Sequence, residues 1–147
     1  LECADKGMDA KTIAETLEKK RDEICLIALL DTLEYLKKGG RISKTVALAG
    51  GLLNIKPVMS AEKGEIIKVD QARGINKALQ KMTEHVISTG GRTEDKRLVI
   101  SHVNAPERAK YVKELLCAKA NFKEVVITDT AGVATVYAND GGIIVAL

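Results

Sequence analysis

The sequence predicts an α/β protein, in which helices cover a mixed, partly antiparallel sheet. Short apolar runs of strand length, such as Ile24 to Leu30, alternate with stretches whose apolar residues have helical spacing. Ala61-Glu62-Lys63-Gly64 has the composition of a hairpin turn, so at least one pair of strands is antiparallel. Because 147 residues is an ordinary domain length, we expect a single domain spanning residues 1–147.

Apolar patterns and capping signals place the individual elements. The predicted strands cover residues 24–30, 55–59, 65–71, 98–103, 124–128 and 143–147. Asp9 and Asn104 fit helix N-caps, and further helices are predicted over about 31–40, about 43–53 and 75–88. Residues 131–137 form a short apolar element that is a candidate helix. Side chains expected on buried helix faces are Ile13, Leu17, Leu33, Leu36, Ile42, Leu79, Met82, Val86, Ile87, Ala109, Val112, Leu115 and Leu116, with Ala10 and Ala14 as further candidates.

Composition narrows the function classes. A net charge of +3, from 23 basic and 20 acidic residues, is too small for a nucleic-acid footprint, and 3% aromatic residues offer little for base stacking. A core of branched aliphatic residues suits an acyl chain better than a base or a sugar.

Cys25 and Cys117 are expected to be reduced core residues. With no signal peptide and no apolar run of about 18 residues, we expect a cytoplasmic protein without an integral membrane segment.

Two arginines beside glycines are the strongest binding candidates. Gly39 and Gly40 fit a helix C-terminus, where positive φ carries no Cβ penalty, and Ser43 fits the N-cap of the next helix. Arg41 therefore lies on a short connector, where its planar guanidinium suits a carboxylate or phosphate. Arg73 has a similar place before Gly74. An arginine that only bridges to a surface carboxylate is an equally open interpretation of Arg41.

Catalytic signals are weak. The sequence has no GxSxG motif, no P-loop and no cysteine pair of metal-ligand spacing, so we predict no catalytic residue and no metal site. His85 and His102 have no carboxylate or cysteine at ligand spacing and are expected to be ordinary packed or surface residues. His102 is the better candidate, since it lies near the end of a strand and before a helix.

The segments DTLEYLKKGGRIS and LLNIKP, followed by a hairpin that leads to Ala72-Arg73-Gly74, resemble the C-terminal half of the DegV family. The resemblance covers essentially all 147 residues. It implies a DegV C-terminal-domain fold and a long-chain fatty acid as the ligand, with no other cofactor. It also implies a separate kinase subunit, that of fatty acid kinase, which phosphorylates the presented carboxyl group while the binding subunit does no chemistry. Arg41 and Arg73 match the two family arginines tied to the kinase.

Two departures from the family pattern affect the expected site. Full-length members are about twice as long, so the N-terminal domain is expected to be absent from this chain. The family's closing motif commonly has a histidine that helps to hold the carboxylate, and Ala138 stands at that position here. Tyr137 or Asn139 is then the candidate carboxylate contact. A buried carboxylate needs several such donors to offset its desolvation.

The main hypothesis is a lipid-binding domain whose acyl-chain walls come from Leu48, Leu52, Leu53 and Ile55. Its ligand- or partner-facing residues are Gly39, Gly40, Arg41, Ser43 and Arg73. One alternative is a small-molecule transferase or kinase component that uses the two arginines on phosphate. Another is a docking domain that binds no lipid.

Overall fold

The computed structural model describes residues 1–21, 23–42 and 54–147. Within them, six strands form one sheet in the order β3-β2-β1-β6-β4-β5. The strands are β1 (Leu26–Leu29), β2 (Ile55–Glu62), β3 (Glu65–Arg73), β4 (Arg97–His102), β5 (Glu124–Asp129) and β6 (Ile143–Ala146). Only β4 and β5 pair in parallel; the other neighbours are antiparallel. The predicted mixed sheet is confirmed.

The described helices are α1 (Glu2–Asp5), α2 (Ala10–Arg21), α3 (Glu34–Lys38), α4 (Ile75–Thr89), α5 (Pro106–Cys117) and α6 (Gly132–Ala138). Asp9 caps α2 as predicted, since its Oδ1 accepts from the backbone N–H groups of Lys11 (3.0 Å) and Thr12 (3.1 Å). The helix predicted over about 43–53 lies outside the described residues.

The predicted N-cap at Asn104 is wrong. Asn104 adopts a left-handed conformation with φ of 48°, which asparagine tolerates better than most residues, and Ala105 takes the N-cap position. The Asn104 side chain donates instead to Asp140 Oδ1 at 3.0 Å. The side chain therefore ties the β4–α5 connection to the turn before β6.

One face of the sheet is closed by α4 and α5. Ile27 and Leu29 of β1 point to this face, because successive strand residues alternate. Of the positions predicted to be buried on both helices, Ile87 and Leu115 are half-buried and the others are buried. The fully buried core side chains on this face are Ile27, Leu29, Val58, Leu79, Met82, Val86, Leu98, Ile100, Val112, Leu116, Ile143 and Val145.

The other face of the sheet is covered by α3 and α6, the two shortest helices that pack against it. Leu33 and Leu36 are buried there as predicted, against Ala28, Leu30 and Met59, and Ile42 packs at the margin. Among the described residues, α3 has five residues and α6 has seven, whereas the helices on the opposite face have 15 and 12. The two short helices leave space against the sheet.

Two packing predictions fail. No residue of α2 is buried, and Leu17 is 58% exposed, so its apolar stripe does not join the core. Cys25 is half-buried beside the core, but Cys117 is exposed at the end of α5. An amphipathic pattern predicts a helix, but it does not show that the apolar face of the helix packs against the core.

Strand directions bring distant segments to one edge of the sheet. β1, β3, β4 and β5 end there, and β2 and β6 begin there; Ile55 pairs with Arg73, and both Leu29 and His102 pair with Ile143. We call this the carboxyl edge. The connections that follow β1, β3 and β4 all leave from it.

Candidate functional site

An apolar cavity of about 150 Å³ lies between the sheet and the α3–α6 layer. Its walls come from β1, β2, β3, β6, α3 and α6. The lining residues are Leu26, Ala28, Leu30, Leu36, Met59, Ser60, Ala61, Ile66, Ala134, Tyr137, Ala138 and Ile144. Of their side chains only those of Ser60 and Tyr137 are polar, and Ser60 Oγ already donates to the Leu26 carbonyl at 3.1 Å. The cavity therefore suits an aliphatic group.

Tyr137 joins this cavity to the glycine–arginine connector. The Arg41 guanidinium lies 5.4 Å from the centroid of the Tyr137 ring, within cation–π range. A Cβ on Gly39 would overlap the same ring, so only glycine allows this close approach. Arg41 Nη1 also donates to the Gly39 carbonyl at 3.0 Å. The structure thus brings Tyr137 to Gly39 and Arg41, which lie far from it in the sequence.

The end of α3 fixes the Arg41 backbone. Gly40 has a φ of 67°, which confirms the positive φ predicted for this helix end. The Arg41 N–H donates to the Leu36 carbonyl (2.9 Å), and the Gly40 N–H donates to the Lys37 carbonyl (3.1 Å). These two bonds are those of a Schellman motif. Arg41 is therefore exposed on a backbone that the motif holds in place.

Arg73 lies elsewhere, in a second and polar pocket at the carboxyl edge. This polar pocket has a volume of about 460 Å³ and is lined by Asp31, Asn54, Lys56, Arg73, Gly74, Ile75, Asn76, Lys77 and Arg108. Lys56 Nζ is 3.1 Å from Asp31 Oδ1, and Arg108 Nη1 is 3.6 Å from the same oxygen. Arg108 also donates to the Gly141 carbonyl. Asp31, Lys56 and Arg108 are not among the predicted site residues, because no local pattern connects them.

The other predicted site residues have separate places. Ala138, which stands where the family commonly has histidine, lines the apolar cavity. Asn139 follows it with a φ of 58°, and its N–H donates to the Thr135 carbonyl. Ile55 is half-buried at the start of β2, where it pairs with Arg73. Ser43, Leu48, Leu52 and Leu53 lie outside the described residues.

Both histidines have carboxylate neighbours that sequence spacing does not reveal. His85 Nε2 is 3.4 Å from Asp70 Oδ2, and the buried His102 has Nδ1 3.3 Å from Asp129 Oδ1. The hydrogen bond that Lys81 donates to Asp70 lowers the pKa of that carboxyl group. Neither histidine lines the cavity or the polar pocket. In the part of the chain that is described, no group of three or more potential ligands could hold a metal ion.

A sheet that is closed on one face and has an apolar cavity under short helices on the other defines an α/β domain with a cavity for an apolar group. The chain matches the sequence profile of the DegV family over residues 1–147, and it belongs to that family. A DegV domain-containing protein of Caldanaerobacter subterraneus is 33% identical over 107 residues, which are 73% of this chain and 37% of the relative. One from Staphylococcus aureus is 29% identical over 143 residues, or 97% of this chain and 51% of the relative.

Solved structures of the same family share the fold. A DegV family protein of Ruminococcus gnavus, refined with vaccenic acid, is 40% identical with a TM-score of 0.90 and covers 99% of this chain. A fatty-acid-binding DegV protein of Streptococcus agalactiae (27%, TM-score 0.86) and the linoleic-acid-loaded fatty acid kinase B3 protein of Streptococcus pneumoniae (25%, 0.85) also cover 99%. This chain covers 52%, 51% and 51% of those three chains. It therefore spans about half the length of these relatives.

No helix in residues 1–21, 23–42 or 54–147 is both long enough and apolar enough to cross a membrane.

Proposed function

We propose that this chain is the part of a fatty-acid-binding protein that surrounds an acyl chain and presents the carboxyl group to a separate kinase, without itself catalysing a reaction. The apolar cavity carries this proposal. It lies on the sheet face of a fold whose solved relatives are described with vaccenic or linoleic acid. An aliphatic lining with few polar atoms favours a methylene chain over a sugar, a base or a peptide backbone.

The cavity volume sets how much of the ligand these walls would hold. A cavity of this size lined by aliphatic residues accommodates a molecule as large as benzene, or about six carbon atoms. At about 0.8 kcal/mol per buried methylene, six carbons contribute about 5 kcal/mol. A long acyl chain has more carbons than that, so the described walls would surround one segment of it.

Tyr137 is the proposed contact at the carboxyl end of the ligand, and Arg41 is a proposed partner-facing residue at the same rim. Tyr137 brings a phenol hydroxyl to the cavity lining, and the Arg41 guanidinium lies over its ring. A phenol hydroxyl can donate a hydrogen bond to a carboxylate and so offset part of its desolvation. Arg73, at the carboxyl edge, is the second proposed partner-facing residue.

Extraction of the purified protein with organic solvent, followed by mass spectrometry, tests the proposal. We expect a long-chain fatty acid to be released, and the delipidated protein to take up added fatty acid in a saturable way. Protein that releases no fatty acid and also binds none when it is offered would exclude lipid binding by this chain.

The double change Arg41→Ala and Arg73→Ala is expected to separate lipid binding from partner coupling. Both side chains are exposed, and neither lines the apolar cavity. We expect fatty-acid binding to stay within about threefold of wild type, while phosphorylation of the bound fatty acid by the kinase falls at least about tenfold, since two charged contacts are lost.

The matched control for this double change is Arg92→Ala. Arg92 is also exposed but lies between the end of α4 and the start of β4, at the sheet edge opposite the carboxyl edge. Equal phosphorylation of the fatty acid bound to the double variant and to wild type would show that neither arginine contributes to the kinase contact.

A further inference from the structure

We propose that the polar pocket at the carboxyl edge is a binding site for a phosphate group carried by a small molecule. The pocket is separate from the apolar cavity, with which it shares no lining residue. The proposal therefore does not depend on whether this chain binds fatty acids.

The first observation is the excess of positive charge around the pocket. Its lining includes four basic side chains and one carboxylate. The carboxylate, Asp31, lies at the end of β1 and contacts Lys56 and Arg108. Their side chains are only 20% and 24% exposed, so water and salt screen their charges less than those of surface residues. Asp31 thus holds two cations in place without neutralising the pocket.

The second observation concerns the other two basic residues of the pocket. Arg73, at the end of β3, and Lys77, in the first turn of α4, have no ion-pair partner within the described part of the chain. Both side chains can bind an anion in the pocket without breaking an ion pair. A free arginine also offers the forked donor pair that suits phosphate oxygens.

The third observation is the start of α4, which forms part of the wall. The helix has 15 residues, and its N-cap Gly74 provides no side-chain hydrogen bond to the first turn. Gly74 has a φ of 83°, and its own N–H donates to the Asn54 carbonyl at 2.9 Å. The free amides of residues 75–77 and the helix dipole add partial positive charge beside the cationic side chains.

Charge and volume together favour a phosphate ester. A single carboxylate would leave most of the positive charge uncompensated, whereas phosphate brings a charge of about −2 and three strong acceptor oxygens. A volume of about 460 Å³ exceeds what one phosphate ion fills and is within the usual range for small-molecule sites, about 300–1,000 Å³. We therefore expect the pocket to hold a phosphate group together with part of the molecule that carries it.

Titration of ¹⁵N-labelled protein followed by NMR tests this assignment. Inorganic phosphate and glycerol 3-phosphate are added separately at pH 7.5, each against sodium chloride of equal ionic strength. We expect saturable shifts of the amides of residues 74–77. A response to both compounds shows a site for the phosphate group itself, and a response to the ester alone shows that the site also needs the organic part. Shifts no larger than those caused by chloride, with both compounds, would overturn the proposal.

Two single variants connect the shifts to the pocket. Arg73→Gln and Lys77→Gln should each raise the dissociation constant by about threefold to tenfold, the effect of losing one partly exposed charged contact. The control is Lys113→Gln, since Lys113 is exposed on α5 and does not line the pocket. Equal weakening by all three variants would show a general charge effect and reject the site. Amide spectra of the unliganded variants verify that each remains folded.

Discussion

Ala134→Phe is expected to lower the affinity of the delipidated protein for a long-chain fatty acid by about a hundredfold. Ala134 lies on α6, lines the apolar cavity and is itself exposed, so a phenyl ring can enter the cavity without displacing a core side chain. A ring there would take the place of about four methylenes, and about 0.8 kcal/mol for each gives a loss of about 3 kcal/mol. Equilibrium binding of a fluorescent fatty acid measures the change.

Val133→Phe is the matched control for the cavity variant. Val133 precedes Ala134 on the same helix but is 68% exposed and does not line the cavity. Both changes put a phenylalanine on α6, so effects on helix propensity are similar. We expect Val133→Phe to bind within about twofold of wild type. Equal losses in the two variants would mean that the ligand does not occupy the cavity.

Met82→Ala is expected to lower the free energy of unfolding by about 3 kcal/mol. Met82 is fully buried on α4, in the core that joins this helix to the closed face of the sheet. Truncating a buried methionine removes apolar contacts and leaves a cavity that its neighbours fill only in part. Urea unfolding followed by circular dichroism measures the effect. If the slope of the unfolding free energy against urea concentration is unchanged, the loss of stability arises in the folded state.

Gln80→Ala serves as the comparison for Met82→Ala. Gln80 is exposed on the same helix, so its truncation should change the free energy of unfolding by no more than about 0.5 kcal/mol. A loss below about 1 kcal/mol for Met82→Ala would contradict the tight packing of α4. Because Met82 lines neither pocket, fatty-acid affinity should remain at the wild-type value under conditions where the variant is folded.

Local signals in the sequence predict much of the fold. The turn at residues 61–64 is predicted from composition, and in the structure Lys63 and Gly64 both adopt positive φ, as a tight hairpin requires. Gly40 and Asp9 are similar cases, since a helix end depends on the few residues around it. Short apolar runs also predict the strands, with period-two alternation as a further signal over residues 65–71. These features share a cause that acts within a few positions of the chain.

The arrangement of the candidate site cannot be predicted from local signals of this kind. The contact of Arg41 with Tyr137 and the contacts of Asp31 with Lys56 and Arg108 join segments that only the strand order brings together. Arg73 resembles Arg41 in its local sequence, yet Arg73 lines the polar pocket whereas Arg41 lies beside the Tyr137 ring. A single sequence shows which side chains could bind an anion. It does not show which of them meet.

The alternation of β1 has a consequence for how such proteins can diverge. Ile27 and Leu29 anchor the interior on one side of the strand, while Ala28 and Leu30 border the cavity on the other. The side chain at position 28 can therefore change in size, which changes the shape of ligand that the cavity accepts. The residues at positions 27 and 29 meanwhile maintain the packing of the core. Selectivity and foldability are encoded at interleaved positions of the same strand, so evolution can adjust one while the other is conserved.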